Sequence, residues 1–185
     1  WRRVVRVIDS GSVHHVEDLR ENCGKVSIRV MFDEVMTGFG RIGEGVGAQR
    51  FGVMPDIINM AKGLTNGVIP MGAVMVRDEI YEAFMQGPNQ AIELFHGYTY
   101  SGNPASCAAG LATLDIYEKE NLFQRAADLS EYFLDSVYAL QDIETVTDIR
   151  GYGLFAGVDV AIDGAPGVAG TRAMKALFAA GLHVK

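Results

Sequence analysis

The sequence lacks the features that mark several large classes of protein. It has two cysteines in 185 residues, without the spacing that zinc sites or disulfide frameworks use. It has no uninterrupted apolar run of the roughly 18 residues that suggest a membrane-spanning helix. It has no basic excess either, because its formal net charge is −7. We therefore expect a cytoplasmic chain with free thiols that binds no metal, no membrane and no nucleic acid.

The two ends of the sequence suggest part of a longer protein. The chain begins at Trp1 instead of a methionine, and residues 181–185 are typical of a strand that has just begun. The basic and then apolar start at 1–8 lacks the long apolar centre of a signal peptide. We expect a fragment of a larger chain.

What the sequence does contain is an alternation of extended and helical patterns, which is typical of an α/β fold. Short apolar runs predict strands at 26–32, 56–61 and 72–76. Arg29 is an unusual residue for the first of them, and residues 10–25 give no clear pattern. Apolar residues at helical spacing and end signals predict four helices, near 78–85, 104–120, 122–141 and 171–180.

Asp33 and Lys62 each follow one of the predicted strands. Reactive groups of open α/β sheets collect at the carboxyl ends of strands, so the two side chains can face one crevice. A lysine buried there would have a lowered pKa and could attack a carbonyl to form an imine. The glycine after it, Gly63, would let a cofactor ring approach the backbone.

Further side chains complete the cofactor hypothesis. A carboxylate such as Asp33 would keep a pyridine nitrogen protonated, and the ring would then withdraw electrons. Thr99 lies in a loop before a predicted helix start at Asn103-Pro104, and its hydroxyl could bind a phosphate. Taken singly, an acidic residue after a strand is more often a turn former, and a lysine before glycine is more often solvated.

Several runs resemble the signature of class III pyridoxal-phosphate aminotransferases, in the order and spacing of that family. These runs are 32–41 (FDEVMTGFGR), 55–64 (PDIINMAKGL), 70–74 (PMGAV) and 101–104 (SGNP). Two others look like the ω-amino acid:pyruvate branch, namely 84–88 (FMQGP) and 95–102 (FHGYTYSG). The resemblance covers roughly residues 19–185.

This resemblance implies pyridoxal 5'-phosphate as the cofactor and a role for four residues. Lys62 would be the Schiff-base lysine and proton shuttle, and Asp33 would bind the pyridine nitrogen. Val35 would pack on one face of the ring, and Thr99 would reach the cofactor phosphate of a partner subunit. The implied assembly is a homodimer or a dimer of dimers. The implied reaction moves an amino group from an ω-amino acid such as β-alanine to pyruvate.

The implied fold is a fragment of a fold-type I pyridoxal-phosphate-dependent transferase. Its large domain has three α/β/α layers around a mostly parallel sheet, and a small C-terminal α+β domain follows. We expect residues 19–140 in the large domain and 141–185 at the start of the small one. Residues 1–18 are an unassigned or aberrant start. The family's phosphate loop and substrate-carboxylate arginine have no match here, so we expect residues 1–185 alone to be inactive.

Three alternatives remain open. A strand ending Met31-Phe32-Asp33-Glu34 resembles a Walker B element, but the glycine-rich loop ending in Gly-Lys-Ser or Gly-Lys-Thr that a nucleotide hydrolase needs is missing. A second alternative is a non-catalytic, truncated remnant with the same fold. A third is another class III aminotransferase that acts on ornithine, 4-aminobutyrate or a diamine.

Overall fold

The computed structural model describes residues 4–7, 13–161, 164–165 and 167–184. These residues form two compact units, one that extends to Asp128 and one that begins at Leu129. All four candidate site residues named above lie in the first unit. A large domain that ends at 140 and a small domain that begins at 141 stay predictions.

The first unit is built on a four-stranded sheet whose order follows the chain. Its strands are β1 (Val4–Val7), β2 (Arg29–Asp33), β3 (Ile57–Met60) and β4 (Ala73–Val76). The pairs β1–β2 and β2–β3 are parallel, whereas β3–β4 is antiparallel. The three predicted strands are therefore confirmed, although the first begins three residues later than its apolar run.

The central strand β2 explains the arginine that looked out of place. Val30 and Phe32 are buried, whereas the residues that alternate with them are half-buried. Arg29 lies on that second face, where its Nη1 donates to Asp56 Oδ1 at 3.4 Å and Glu79 Oε1 at 3.0 Å. A buried strand accommodates this guanidinium because two carboxylates pair with it.

The helices that begin in the first unit include two that the sequence did not predict, and the last helix of the series crosses the boundary at Asp128. These two are α1 (Val13–Lys25) and α2 (Gly47–Phe51), which are followed by α3 (Asp78–Met85), α4 (Pro104–Lys119) and α5 (Leu122–Tyr138). The predicted start of α4 is confirmed, since Asn103 Oδ1 accepts from Ser106 N at 3.1 Å and Pro104 is the first helical residue. Within the described residues, no helix has both the length and the apolar character to cross a membrane.

The core of the first unit lies between β2 and the two helices that were missed. Its buried side chains come from α1, β2, α2 and the segment after α2: Val16, Cys23, Val30, Phe32, Ala48 and Val53. Helix α1 contributes only two of them and is otherwise mostly exposed. That narrow apolar face is why its sequence shows no clear helical period.

The second unit is a hairpin followed by a helix. A 3-10 turn (Ala139–Asp142) leads into β5 (Val146–Tyr152) and β6 (Phe155–Val160), which pair antiparallel, and then into α6 (Val168–Ala179). The predicted last helix is confirmed. The prediction of a strand that begins at 181 is wrong for the described residues 181–184, which form no strand.

Candidate active site

Asp33 and Lys62 leave the sheet at the same edge. Strands β2 and β3 run parallel with Asp33 opposite Asn59, and Glu34 N donates to Asn59 O at 2.8 Å just beyond. Neighbouring strands lie about 4.8 Å apart, so the segments that follow them emerge side by side. The predicted placement of both residues at the carboxyl ends of adjacent strands is confirmed, while their chemical roles stay predictions.

Asp33 takes part in the turn that follows β2. It is half-buried, and its Oδ1 accepts from Val35 N at 3.1 Å. This is the ordinary turn-forming contact of an aspartate after a strand. The same contact fixes one carboxylate oxygen relative to the backbone, and Val35, also half-buried, follows directly.

Glu34 anchors the glycine-rich loop of residues 38–47, which follows this turn, a role that the sequence did not reveal. Its side chain is 2 % exposed, accepts from Ala48 N at 3.2 Å through Oε1, and receives the Thr37 hydroxyl on Oε2. A Cβ on Gly47 would lie 2.8 Å from Glu34 Oε1, so only glycine leaves room for the carboxylate. Glu34 thus ties the Asp33 turn to the start of α2.

Lys62 begins a single 3-10 turn (Lys62–Leu64) and has a left-handed backbone with φ of 47°. Its side chain is exposed, which corrects the expectation of a buried amine. The physical reason is that β3 ends at Met60, so the chain has already left the sheet. The Nζ atom contacts the thioether sulfur of Met36, and no carboxylate of the described residues forms an ion pair with it.

The packing of this chain also requires a glycine at position 63, whereas the expected approach of a cofactor ring stays a prediction. A Cβ there would lie 2.7 Å from Phe39 Cβ, so Phe39 occupies the space that the absent side chain leaves. The Gly63 carbonyl oxygen accepts from the Tyr117 hydroxyl at 2.7 Å. Neither aromatic residue was predicted. The single aromatic residue inside the glycine-rich loop was the one signal that could have indicated Phe39.

Thr99 lies in the loop before α4. It is exposed and lines a cleft of about 520 Å³. The other lining residues come from 70–72, 96–103 and 106–107. The loop that carries it is braced by His96, whose Nδ1 accepts from Tyr98 N at 2.9 Å. Neither Asp33 nor Lys62 lines this cleft. The described chain therefore does not join Thr99 to them, and its contact with a partner subunit stays a prediction.

Comparison with known proteins identifies the family to which this chain belongs. The sequence model of the aminotransferase class-III family matches residues 9–185, from ten residues ahead of the start that we expected. An omega-aminotransferase of Caulobacter vibrioides is 51% identical over 161 residues, which are 87% of this chain and 36% of that protein. A beta-alanine–pyruvate aminotransferase of Pseudomonas aeruginosa is 46% identical over 94% of this chain and 39% of its own length. The chain thus spans less than two fifths of these curated relatives.

Solved structures give the same result for the fold. An (S)-enantioselective omega-transaminase from Thermomicrobium roseum superimposes with a TM-score of 0.89 at 32% identity, over 100% of this chain and 43% of that one. An amine transaminase from an uncultivated Pseudomonas species, in its PLP-bound form, has a TM-score of 0.86 at 34% identity and is covered to 45%. The fold is that of the pyridoxal-phosphate-dependent transaminases.

The residues present fit pyridoxal phosphate, the cofactor of this family. Such a cofactor needs a primary amine to bind its aldehyde and a carboxylate for its ring nitrogen. Lys62 supplies an exposed amine without an ion pair among the described residues, and Asp33 supplies a carboxylate at the same sheet edge. No cluster of three or more metal-ligating side chains competes for these groups in the described ranges.

Proposed function

The chain belongs to the class III aminotransferase family, and we propose that the protein carrying it transfers amino groups with pyridoxal phosphate as its cofactor. The observation that supports this most directly is the parallel pairing of β2 and β3, since it brings Asp33 and Lys62 to one edge of the sheet. The names of the two curated relatives, an omega-aminotransferase and a beta-alanine–pyruvate aminotransferase, agree with it.

Three residues of this chain would hold the cofactor. Lys62 binds its aldehyde carbon through Nζ, Asp33 holds the proton of the pyridine nitrogen, and Val35 packs on one ring face. When bound, the cofactor withdraws electrons from the carbon that carries the amino group. Lys62 Nζ, released when the substrate's amino group takes its place on the aldehyde carbon, would then move a proton, first as a base and afterwards as an acid. In this chain the amine contacts the thioether sulfur of Met36, and its side chain is exposed.

Thr99 would serve the second active site of a homodimer, or of a dimer of dimers. Its hydroxyl donates to the phosphate of the cofactor that the partner subunit binds. Two features support this assignment. Thr99 is exposed on a cleft that Lys62 does not line. Large apolar side chains near it in the sequence are also exposed, Phe95 by 94%, Tyr100 by 87% and Leu111 by 70%, as expected of a surface that associates.

The proposed substrates are β-alanine as amino donor and pyruvate as acceptor. The relative from Pseudomonas aeruginosa carries that activity in its name, and the runs at 84–88 and 95–102 resemble the same branch. We assign residues 19–140 to the large domain and 141–185 to the small one. The proposed compartment is the cytoplasm, where Cys23 and Cys107 stay reduced, as they are in this structure.

Reductive labelling tests the role of Lys62. The protein is mixed with pyridoxal phosphate, reduced with borohydride, digested and mapped by mass spectrometry. We expect the pyridoxyl group on Lys62 and its loss in Lys62→Arg. Lys119→Arg is the matched control, because that lysine is 72% exposed on α4 and pairs with Asp115. Label spread evenly over surface lysines would contradict the proposal.

A non-catalytic protein of the same fold is the second candidate. The exposed side chain of Lys62 favours this second candidate, because packing against neighbouring residues does not fix the position of the amine. The labelling experiment separates the two candidates, since a non-catalytic protein would show no preference for Lys62.

A further inference from the structure

We propose that Tyr117 is a positioning residue for Lys62, an inference that rests on the function proposed for Lys62. Tyr117 lies in α4, 54 residues after Gly63, and its hydroxyl donates to the Gly63 carbonyl oxygen at 2.7 Å. That carbonyl belongs to the residue directly after the lysine. The hydrogen bond therefore fixes the Gly63–Leu64 peptide group, one residue beyond Lys62 in the same 3-10 turn.

The backbone at Lys62 needs such support. Its φ of 47° lies in the left-handed region, which is unfavourable for a residue with a Cβ. The turn's own hydrogen bonds are Leu64 N to Ala61 O at 3.1 Å, Thr65 N to Lys62 O at 3.3 Å and Asn66 N to Gly63 O at 3.3 Å. A single 3-10 turn holds its geometry poorly, and strained conformations persist only where the surroundings determine them.

Tyr117 is itself held on both sides by aromatic rings. Its ring centroid lies 6.3 Å from that of Phe39 in a stacked arrangement and 5.3 Å from that of Phe123. Phe39 also fills the space above Gly63 and follows Met36, the residue in contact with Lys62 Nζ, by three positions. The three rings thus connect the Asp33 loop, the Lys62 turn and α4 in one packed cluster.

The hydroxyl stays a donor over the working pH range of an enzyme. Burial raises the pKa of the Tyr117 phenol above its usual value, and the positive charge of Arg41 opposes this rise without cancelling it. The phenol is therefore protonated wherever Lys62 would act. The hydrogen bond to Gly63 is a constant part of the site and does not switch with pH.

Three variants separate the hydroxyl from the ring. Tyr117→Phe removes the hydrogen bond and keeps the packing, whereas Tyr117→Leu removes both. Tyr132→Phe is the control, because this tyrosine is 74% exposed in α5. The measurements, made on the holo form of the full-length protein that carries this chain, are kcat and KM with β-alanine and pyruvate, the pH titration of bound-cofactor absorbance, and pyridoxyl labelling of Lys62.

We expect Tyr117→Phe to lower kcat roughly three- to tenfold with KM nearly unchanged, the effect of losing one neutral hydrogen bond that orients the catalytic amine. We expect the midpoint of the absorbance titration to move by about 0.5 to 1 pH unit. A shift of this size corresponds to a roughly three- to tenfold change in the protonation equilibrium. Tyr132→Phe changes neither quantity.

Other outcomes overturn the inference in distinguishable ways. If Tyr117→Phe unfolds at a lower temperature but keeps the parent kcat and titration midpoint, its hydroxyl has only a structural role. The same conclusion holds if Tyr117→Leu alone is impaired, because the ring would then suffice. If the parent protein is not labelled at Lys62, the proposed function fails together with this inference.

Discussion

Asp56 is the residue whose replacement should destabilise the first unit most clearly. Its side chain is 1% exposed and accepts from Val30 N at 2.7 Å and from Arg20 Nη1 at 2.8 Å. Arg29 Nη1 lies 3.4 Å away and Arg77 Nε 3.6 Å away. One carboxylate thus connects α1, β2 and the residue that precedes α3.

The magnitude follows from what each substitution leaves unpaired. Removing one partner of a buried ion pair costs about 3–5 kcal/mol. The side chains of Arg20, Arg29 and Arg77 are 27%, 33% and 36% exposed. Water can therefore solvate part of the positive charge that loses its partner. We therefore expect Asp56→Asn to lower the free energy of unfolding by about 2–3 kcal/mol. Asp56→Ala should lower it by about 4 kcal/mol, because Val30 N also loses its acceptor.

The pH dependence gives a second, independent signature. Burial raises the pKa of Asp56. The hydrogen bond from Val30 N, together with the hydrogen bond and charge of Arg20 and the charge of Arg29, lowers this pKa by more than burial raises it, so the net shift is downward. A lowered folded-state pKa stabilises the protein above the unfolded value of about 3.9, and this contribution is lost as the pH falls through the folded value. The stability gap between the parent and Asp56→Asn should therefore be constant from about pH 5 to 7 and narrow below about pH 4.

Urea denaturation followed by circular dichroism measures both quantities. Asp115→Asn is the matched control, because that carboxylate is 60% exposed on α4 and pairs only with Lys119 among the ion pairs described, so its loss should change little. The reasoning would be refuted if the free energy of unfolding of Asp56→Asn lay within about 0.5 kcal/mol of the parent value. Ordinary surface substitutions change it by that much. A gap that stays the same at pH 3 would also refute the reasoning.

Two further predictions concern the site. Gly63→Ala should lower the free energy of unfolding by about 1–3 kcal/mol and slow Lys62 labelling, because its Cβ would lie 2.7 Å from Phe39 Cβ. Gly24→Ala, where a Cβ meets nothing within 4 Å, is the control, and equal effects in urea denaturation would contradict this view. We also expect a purified chain of residues 1–185 to show no transamination of pyruvate with β-alanine, and a rate near that of a complete relative would disprove it.

Local patterns in the sequence predicted the elements that carry their own signals. The apolar run before Asp33 became β2, and the Asn103-Pro104 pair marked the start of α4. Helix α1 was missed because few of its residues are buried, and α2 because five residues after a glycine-rich loop show no period. The antiparallel direction of β4 could not be predicted, since strand pairing depends on the path of the whole chain.

The side-chain environments at the site were harder to predict than the residues themselves. Asp33 and Lys62 were found because each follows an apolar strand, and the parallel register places them as expected. The exposure of Lys62 was not foreseen, because burial depends on segments far away in the sequence. Arg29 looked unfavourable for the same reason, as its partners Asp56 and Glu79 are 27 and 50 residues away.

The two catalytic candidates are held by different forces, and this difference explains what a sequence can reveal about them. Asp33 is fixed at the end of β2 and by a contact with Val35 two residues away, and both features have local sequence signals. Lys62 follows a strand too, but its strained turn is held by Phe39 and Tyr117, which lie 23 and 55 residues away in the printed sequence. Substitutions in this aromatic cluster should therefore alter the lysine while leaving the aspartate in place.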